Sequence, residues 1–200
     1  MKIGMLGSGT VALSIAKHAI DQGHEVLLSN RSGATKLGDA LSQLGPKASV
    51  VTLAEAAAAP VVLLATPWTT IKTVLNGLPA WNSRILIDAT NPFLETTPEW
   101  VFDDLGGRGA SEIVAELAPG ARVVKAFNNL EMANFNAGPV HNQGRRVLFV
   151  SGDDSEAKEF VTEFIHKIGF RTVDLGELKE GGKMQQAGGP LAGHDFLLPQ

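Results

Sequence analysis

The chain has 200 residues, of which 44% are hydrophobic and 19% charged, with a net charge of -4. This is enough chain to bury a core, and the balance lacks the basic excess that marks a nucleic-acid-binding domain. Cysteine is absent, which rules out disulfides, thiol catalysis and cysteine-ligated metals.

Taken in chain order, short β-branched runs alternate with longer helical stretches, the pattern of βαβ units in a parallel sheet. Lys2 to Leu6 reads as a strand, Thr10 to Gln22 as a helix stopped by Gly23, and His24 to Ser29 as a second strand. A helix is expected from Thr35 to Leu44 and a short strand near Ser49 to Val51. Val61 to Ala65 is a continuous apolar run, as a central strand covered on both faces requires. A helix over Thr69 to Leu78 and a strand over Arg84 to Asp88 follow. The second half predicts a helix at Ser111 to Leu117, strands at Arg122 to Phe127 and Arg145 to Val150, a helix at Asp154 to Ile168 and a strand at Arg171 to Asp174. Asp153 and Glu156 have the spacing of a capping box for that last helix, and the glycine-rich tail from Leu175 reads as irregular. The Ala54 to Ala65 stretch is broken by Glu55 and Pro60 and is too short to span a bilayer. The expected location is therefore the cytoplasm. The sequence predicts a single domain, 1–200, with a dinucleotide-binding first half (1–94) and an acceptor-side second half (95–200).

Gly7-Ser8-Gly9-Thr10-Val11-Ala12 matches the fingerprint G-x-G-x-x-G/A between a strand and a helix. The first glycine permits a tight turn, the second a close approach of backbone to a pyrophosphate, and the helix N-terminus attracts the phosphates. The fold class predicted is α/β, a Rossmann-type doubly wound, mostly parallel sheet. An acidic residue about 20 positions on would hold a ribose 2′-hydroxyl. Here Ser29-Asn30-Arg31-Ser32 stands instead, with an arginine able to pair with a 2′-phosphate, which favours NADP(H) over NAD. Thr66, Pro67 and Trp68 follow one strand, and Thr90, Asn91 and Pro92 another, at the ends where such sheets bind ligands. Asp88 reads as a turn cap. The five histidines (18, 24, 141, 166 and 194) are scattered, and no metal-ligand cluster or catalytic triad is apparent.

These segments resemble the NADP oxidoreductases dependent on the deazaflavin coenzyme F-420, and the cytosolic NADPH-binding part of the STEAP metalloreductases. The resemblance rests on the fingerprint, SNRS at 29–32, TPW at 66–68, KAFN at 125–128, SGDD at 151–154 and GGKMQQAGGPLAG at 181–193. It implies direct hydride transfer between the nicotinamide and a flavin-like ring, with coenzyme F-420, FMN or FAD as co-substrate and no catalytic side chain. By the same resemblance Gly7 to Val11 hold the pyrophosphate and Asn30, Arg31 and Ser32 the 2′-phosphate. Thr66 to Trp68, Asn91 and Pro92 line the nicotinamide side, Asn128 and Asn129 flank the second ring, and the tail around Met184 to Leu191 closes the acceptor pocket or a homodimer interface. The chain departs from the family at Ser32, where a second arginine is common, and at Asn128-Asn129-Leu130-Glu131. The expected partner is a small-molecule hydride acceptor or donor, with no nucleic acid and no membrane. The alternatives are an imine or carbonyl reductase related to pyrroline-5-carboxylate reductase, and a non-catalytic NADP-binding sensor or subunit.

Overall fold

In the computed structural model, residues 1–30 and 37–199 are described. The first half runs β1 (Lys2–Leu6), α1 (Thr10–Asp21), β2 (Glu25–Ser29), α2 (Gly38–Leu44), β3 (Ala48–Val50), α3 (Leu53–Ala57), β4 (Val61–Leu64), α4 (Ile71–Leu75) and β5 (Ile85–Asp88). A small two-stranded sheet, β6 (Phe93–Glu95) with β7 (Val101–Phe102), precedes α5 (Ala110–Leu117) and β8 (Arg122–Lys125). Then come α6 (Met132–Asn136), β9 (Val140–His141), β10 (Gly144–Gly152), α7 (Ser155–Lys167), β11 (Arg171–Asp174), α8 (Gly181–Gln185) and β12 (Leu197–Pro199).

The main sheet has the order β11-β10-β8-β5-β4-β1-β2-β3. From β3 to β8 every pairing is parallel, and β10 then runs antiparallel to β8. Chain connections go outward from β1 in both directions, so the switch point lies where the carboxyl ends of β1 and β4 separate, and in such sheets ligands bind there. β4 is apolar throughout because both its faces are covered. On one face Met5, Leu28, Leu63 and Ile87 pack with Ile15 of α1 and Ile165 of α7. On the other, Leu6, Val62, Leu64 and Leu86 meet Ala56 of α3, Ile71 of α4 and Val114 of α5. No helix among the described residues is long and apolar enough to cross a membrane.

Several expectations are corrected. The helix expected over Thr69 to Leu78 is a single 3-10 turn, Trp68–Thr70, followed by α4, which stops at Leu75 because Asn76 is extended and Gly77 has φ +84°. α7 is capped by Asp154, whose Oδ1 accepts from the Ala157 N–H at 2.8 Å, whereas Asp153 accepts from the Leu178 N–H at 2.9 Å. The helix cap is thus one residue later than the capping-box spacing suggested, and Asp153 ties the tail to the sheet. The tail itself is ordered as α8 and β12. Thr35 and Lys36, at the expected start of α2, lie outside the described residues.

Candidate functional site: a groove across the strand ends

The β1–α1 turn starts the groove. Gly7 has φ +124°, donates its N–H to Ser29 O at 3.1 Å, and would place a Cβ 2.2 Å from Ala65 O. No side chain fits there, so this glycine is fixed by the fold. Gly9 is different: its backbone is extended, and a Cβ would meet no atom within 4 Å. Gly9 caps α1 without any side-chain cap, and the first turn contains no acidic residue. The opening N–H groups of α1 have no intrahelical acceptor and lie at the positive end of the helix dipole.

Beside this turn is a hollow of about 360 Å³ lined by Gly7, Ser8, Gly9, Ser29, Asn30, Thr66 and Pro67, among others. Asn30 Oδ1 and Thr66 Oγ1 are buried at this hollow with no hydrogen-bond partner among the described residues. Unpaired buried polar atoms are costly, and two in one hollow fit a polar ligand. Ser29 Oγ is already engaged, donating to Met5 O at 2.8 Å. Open space over Gly9, an uncapped helix start and two unpaired polar atoms together fit the phosphate and ribose groups of a dinucleotide.

A middle hollow of about 460 Å³ shares Gly9, Ala65, Thr66 and Pro67 with the first and adds Thr10, Val11, Trp68, Thr90 and Asn91. Trp68 is 7% exposed and its indole N–H donates to Asp103 Oδ2 at 2.8 Å, so it both packs the core and walls the groove. Thr90 Oγ1 donates to Asp88 Oδ1 at 2.7 Å, and the Thr90 N–H to the same oxygen at 2.9 Å, so Asp88 caps this turn. Pro92 is buried and lines none of these three hollows.

The third hollow, about 320 Å³, shares Val11, Ala89, Asn91 and Phe93 with the second. Its remaining walls are Trp100, Phe102 and Phe127 on one side and the tail residues Ala187, Gly188, Ala192 and Gly193 on another. Phe93 contacts Phe102 and Trp100 with ring centroids 5.2 and 5.7 Å apart. Phe127 holds φ +64°, a costly arrangement for a bulky residue, and edge contacts with Phe135 and Phe164 keep it there. Asn91 Nδ2 donates to Asn128 O at 2.9 Å, and Asn128 Nδ2 donates back to Asn91 Oδ1 at 3.0 Å. Asn128 and Asn129 therefore border this hollow, with Asn129 Oδ1 accepting from the Phe149 N–H.

The fold thus brings Gly7 to Val11, Ser29, Asn30, Thr66, Pro67, Trp68, Thr90, Asn91 and Asn128 to one continuous groove. Arg31 and Ser32 lie outside the described residues. Sequence reasoning did not name Trp100 and Phe102, and gave Phe93 and Phe127 only as members of strand-end segments. The available signal was their crowding after strand ends in a chain that is only 6% aromatic.

A doubly wound, mostly parallel sheet with a glycine turn at the carboxyl end of its first strand defines the class, a Rossmann fold, as in the solved structures it resembles. The model of the family NADP oxidoreductase coenzyme F420-dependent matches residues 2–92 of the chain. The chain is 31% identical over 186 residues to the metalloreductase STEAP3 of Rattus norvegicus, covering 92% of this chain. The chain spans only 36% of that relative's length. Among solved structures it resembles a hypothetical protein from Sinorhizobium meliloti, with 36% identity, a TM-score of 0.90 and coverage of 99% and 96% of the two chains. It also resembles a candidate F420-dependent NADP reductase from Arthrobacter, with 27% identity, a TM-score of 0.79 and coverage of 89% and 86%.

Proposed function

We propose that the chain transfers a hydride between NADP(H) and a flavin or deazaflavin ring, with the dinucleotide lying along the first two hollows and the acceptor in the third. The observation that carries this reading is the sharing of walls between hollows, from the Gly7 turn to the aromatic chamber. The family match over residues 2–92 and the name of the Arthrobacter neighbour support it.

In this reading the N–H groups at the start of α1, with Gly7 and Ser8, hold the pyrophosphate, and the open face of Gly9 lets it approach. Asn30, Arg31 and Ser32 hold the 2′-phosphate. Thr66 supplies its unpaired hydroxyl to the ribose side, and Pro67 with Trp68 forms the wall that orients the nicotinamide end. Bound NADPH would supply a hydride from its nicotinamide ring. Phe93, Trp100, Phe102 and Phe127 give the third hollow an aromatic wall on which a flavin-like ring can stack. No side chain need act as nucleophile, since the cofactors carry the chemistry and the protein orients two rings. Residues 1–94 then do most of the dinucleotide binding and 95–200 most of the acceptor binding, in the cytoplasm and with a small-molecule partner.

The test follows NADPH absorbance anaerobically with purified protein and a panel of coenzyme F-420, FMN, FAD, ferric chelates and a cyclic imine. Turnover with a flavin-like ring is the expected result. Tight NADPH binding with turnover only on the imine, or on nothing offered, would overturn the acceptor assignment.

A further inference from the structure

Gln185, in α8, is fully buried and does not line the groove. Its carboxamide nitrogen donates to Asn128 Oδ1 at 2.8 Å, Lys125 O at 3.2 Å and Phe149 O at 3.3 Å. Its carboxamide oxygen accepts from Ser151 Oγ at 2.6 Å. Its backbone oxygen accepts from Asn128 Nδ2 at 2.8 Å. An apolar residue could fill this volume, so the carboxamide is there for its bonds, and the bonds lead to the groove. Asn128, held on both sides by Gln185, pairs with Asn91, and Asn91 Oδ1 accepts from the Ala187 N–H at 2.9 Å. A second strap, Gly193 N–H to Asn129 O at 2.8 Å, holds the far end of the same segment. Between these two fixed points run Ala187 and Gly188, then Ala192 and Gly193, the small-residue wall of the third hollow. Gly188 packs beside the aromatic wall, since a Cβ there would be 3.8 Å from the Phe102 ring.

We infer that Gln185 is a positioning residue for the acceptor hollow: through Asn128 and Asn91 it fixes the chain from Ala187 to Gly193 and so sets the width available to the acceptor ring. The inference rests on the reading of the third hollow as the acceptor site. It bears on the acceptor end and not on the phosphate end of the groove: among the described residues the Gly7–Gly9 turn and the Asn30–Thr66 hollow share no hydrogen bond with this network, which meets the dinucleotide hollows only at Asn91. A largely buried network of this kind is rigid only while every member is satisfied.

The test uses the full chain with Gln185→Met, which keeps the volume and removes the bonds, and with the milder Ser151→Ala, which removes only the bond to the carboxamide oxygen. Gln185→Met is expected to raise the acceptor KM by about 10- to 100-fold, the scale of a displaced supporting shell, while the NADPH Kd from fluorescence titration stays at the wild-type value. Amide hydrogen exchange at Ala187 and Gly193 is expected to accelerate in both variants, less in Ser151→Ala. An unchanged acceptor KM in folded Gln185→Met, or a parallel loss of NADPH and acceptor binding, overturns the inference. If Gln185→Met does not fold, Ser151→Ala decides by the same criteria. If wild-type protein reduces no acceptor, the proposed function fails, and exchange at Ala187 and Gly193 still decides whether Gln185 holds the segment.

Discussion

Gly9 carries no side chain although nothing in the folded chain forbids one. Its backbone is extended, a conformation open to any residue, and the space where a Cβ would stand is empty. Gly7, two residues earlier, is the opposite case, with positive φ and the Ala65 carbonyl pressed against it. The two glycines of one fingerprint therefore answer to different masters, the fold for Gly7 and the ligand for Gly9. Replacing Gly9 by Val should weaken NADPH binding by about 100-fold, or about 2.8 kcal/mol. The same change should leave stability within about 1 kcal/mol, the scale of an N-cap substitution. Fluorescence titration and urea unfolding on the same protein check both halves. NADPH affinity that survives the substitution would mean that the pyrophosphate does not pass over Gly9. Residues of this kind were legible in the sequence because a strand, a tight turn and a helix follow one another within a few positions. Phe93, Trp100 and Phe102 were not, because they reach the groove through the small β6–β7 sheet, whose short strands leave no periodic signal.

Among the elements, α1 shows how burial of a titratable group links local packing to pH. His18 projects from its last turn, edge-on to the rings of Phe135 and Phe170 at 5.2 and 6.5 Å. Burial pushes its imidazole below the ordinary 6.5; Asp21 opposes the shift and Lys17 adds to it. The folded state thus binds this proton less readily than the unfolded chain. Stability from the neutral ring is complete above the unfolded value of about 6.5 and is lost as pH falls through the window beneath it. His24, also depressed by burial first and then by the N-terminal ammonium, acts with the same sign. The urea midpoint should therefore fall between pH ~7 and ~5, and His18→Leu should flatten part of that slope. An identical slope in the variant would show that the ring stays hydrated on α1. Other elements show where sequence signals compete. α3 begins with a full capping box, Thr52 accepting from the Glu55 N–H while Glu55 Oε2 accepts from the Thr52 N–H at 2.8 Å. Its helix is only five residues long, so the alanine-rich stretch gave no amphipathic period to accompany the cap. At α7 two adjacent aspartates compete for one cap, and the choice of Asp154 depends on the tail docking to Asp153, a contact distant in sequence.

At the scale of the whole molecule, the apolar runs of β1, β4 and β5 announce a parallel sheet, because only strands covered on both faces need to be apolar throughout. The reversed direction of β10 carries no such mark. It touches β8 through Ser151 and Gly152 alone, while most of its length pairs with β9, β11 and β12. Beside that seam, at the carboxyl ends of β5 and β8, lies a polar knot that no periodicity reveals. Lys125 of β8, wholly buried, donates to Asp88 Oδ2 of β5 at 3.2 Å and to Thr90 O at 3.1 Å. Ser111, in the first turn of α5, donates to the same carboxylate oxygen at 2.5 Å. These bonds tie two neighbouring strand ends and one helix together directly behind the groove. Removing one partner leaves a buried charge without its counterion. Lys125→Met should therefore lower the unfolding free energy by about 3–5 kcal/mol. The double variant Lys125→Met with Asp88→Asn should recover part of that loss, because the stranded charge is gone as well. Urea unfolding of wild type, both single variants and the double variant closes the cycle. A coupling energy near zero would mean that Lys125 and Asp88 act independently, and that the strand ends behind the groove are held by packing alone.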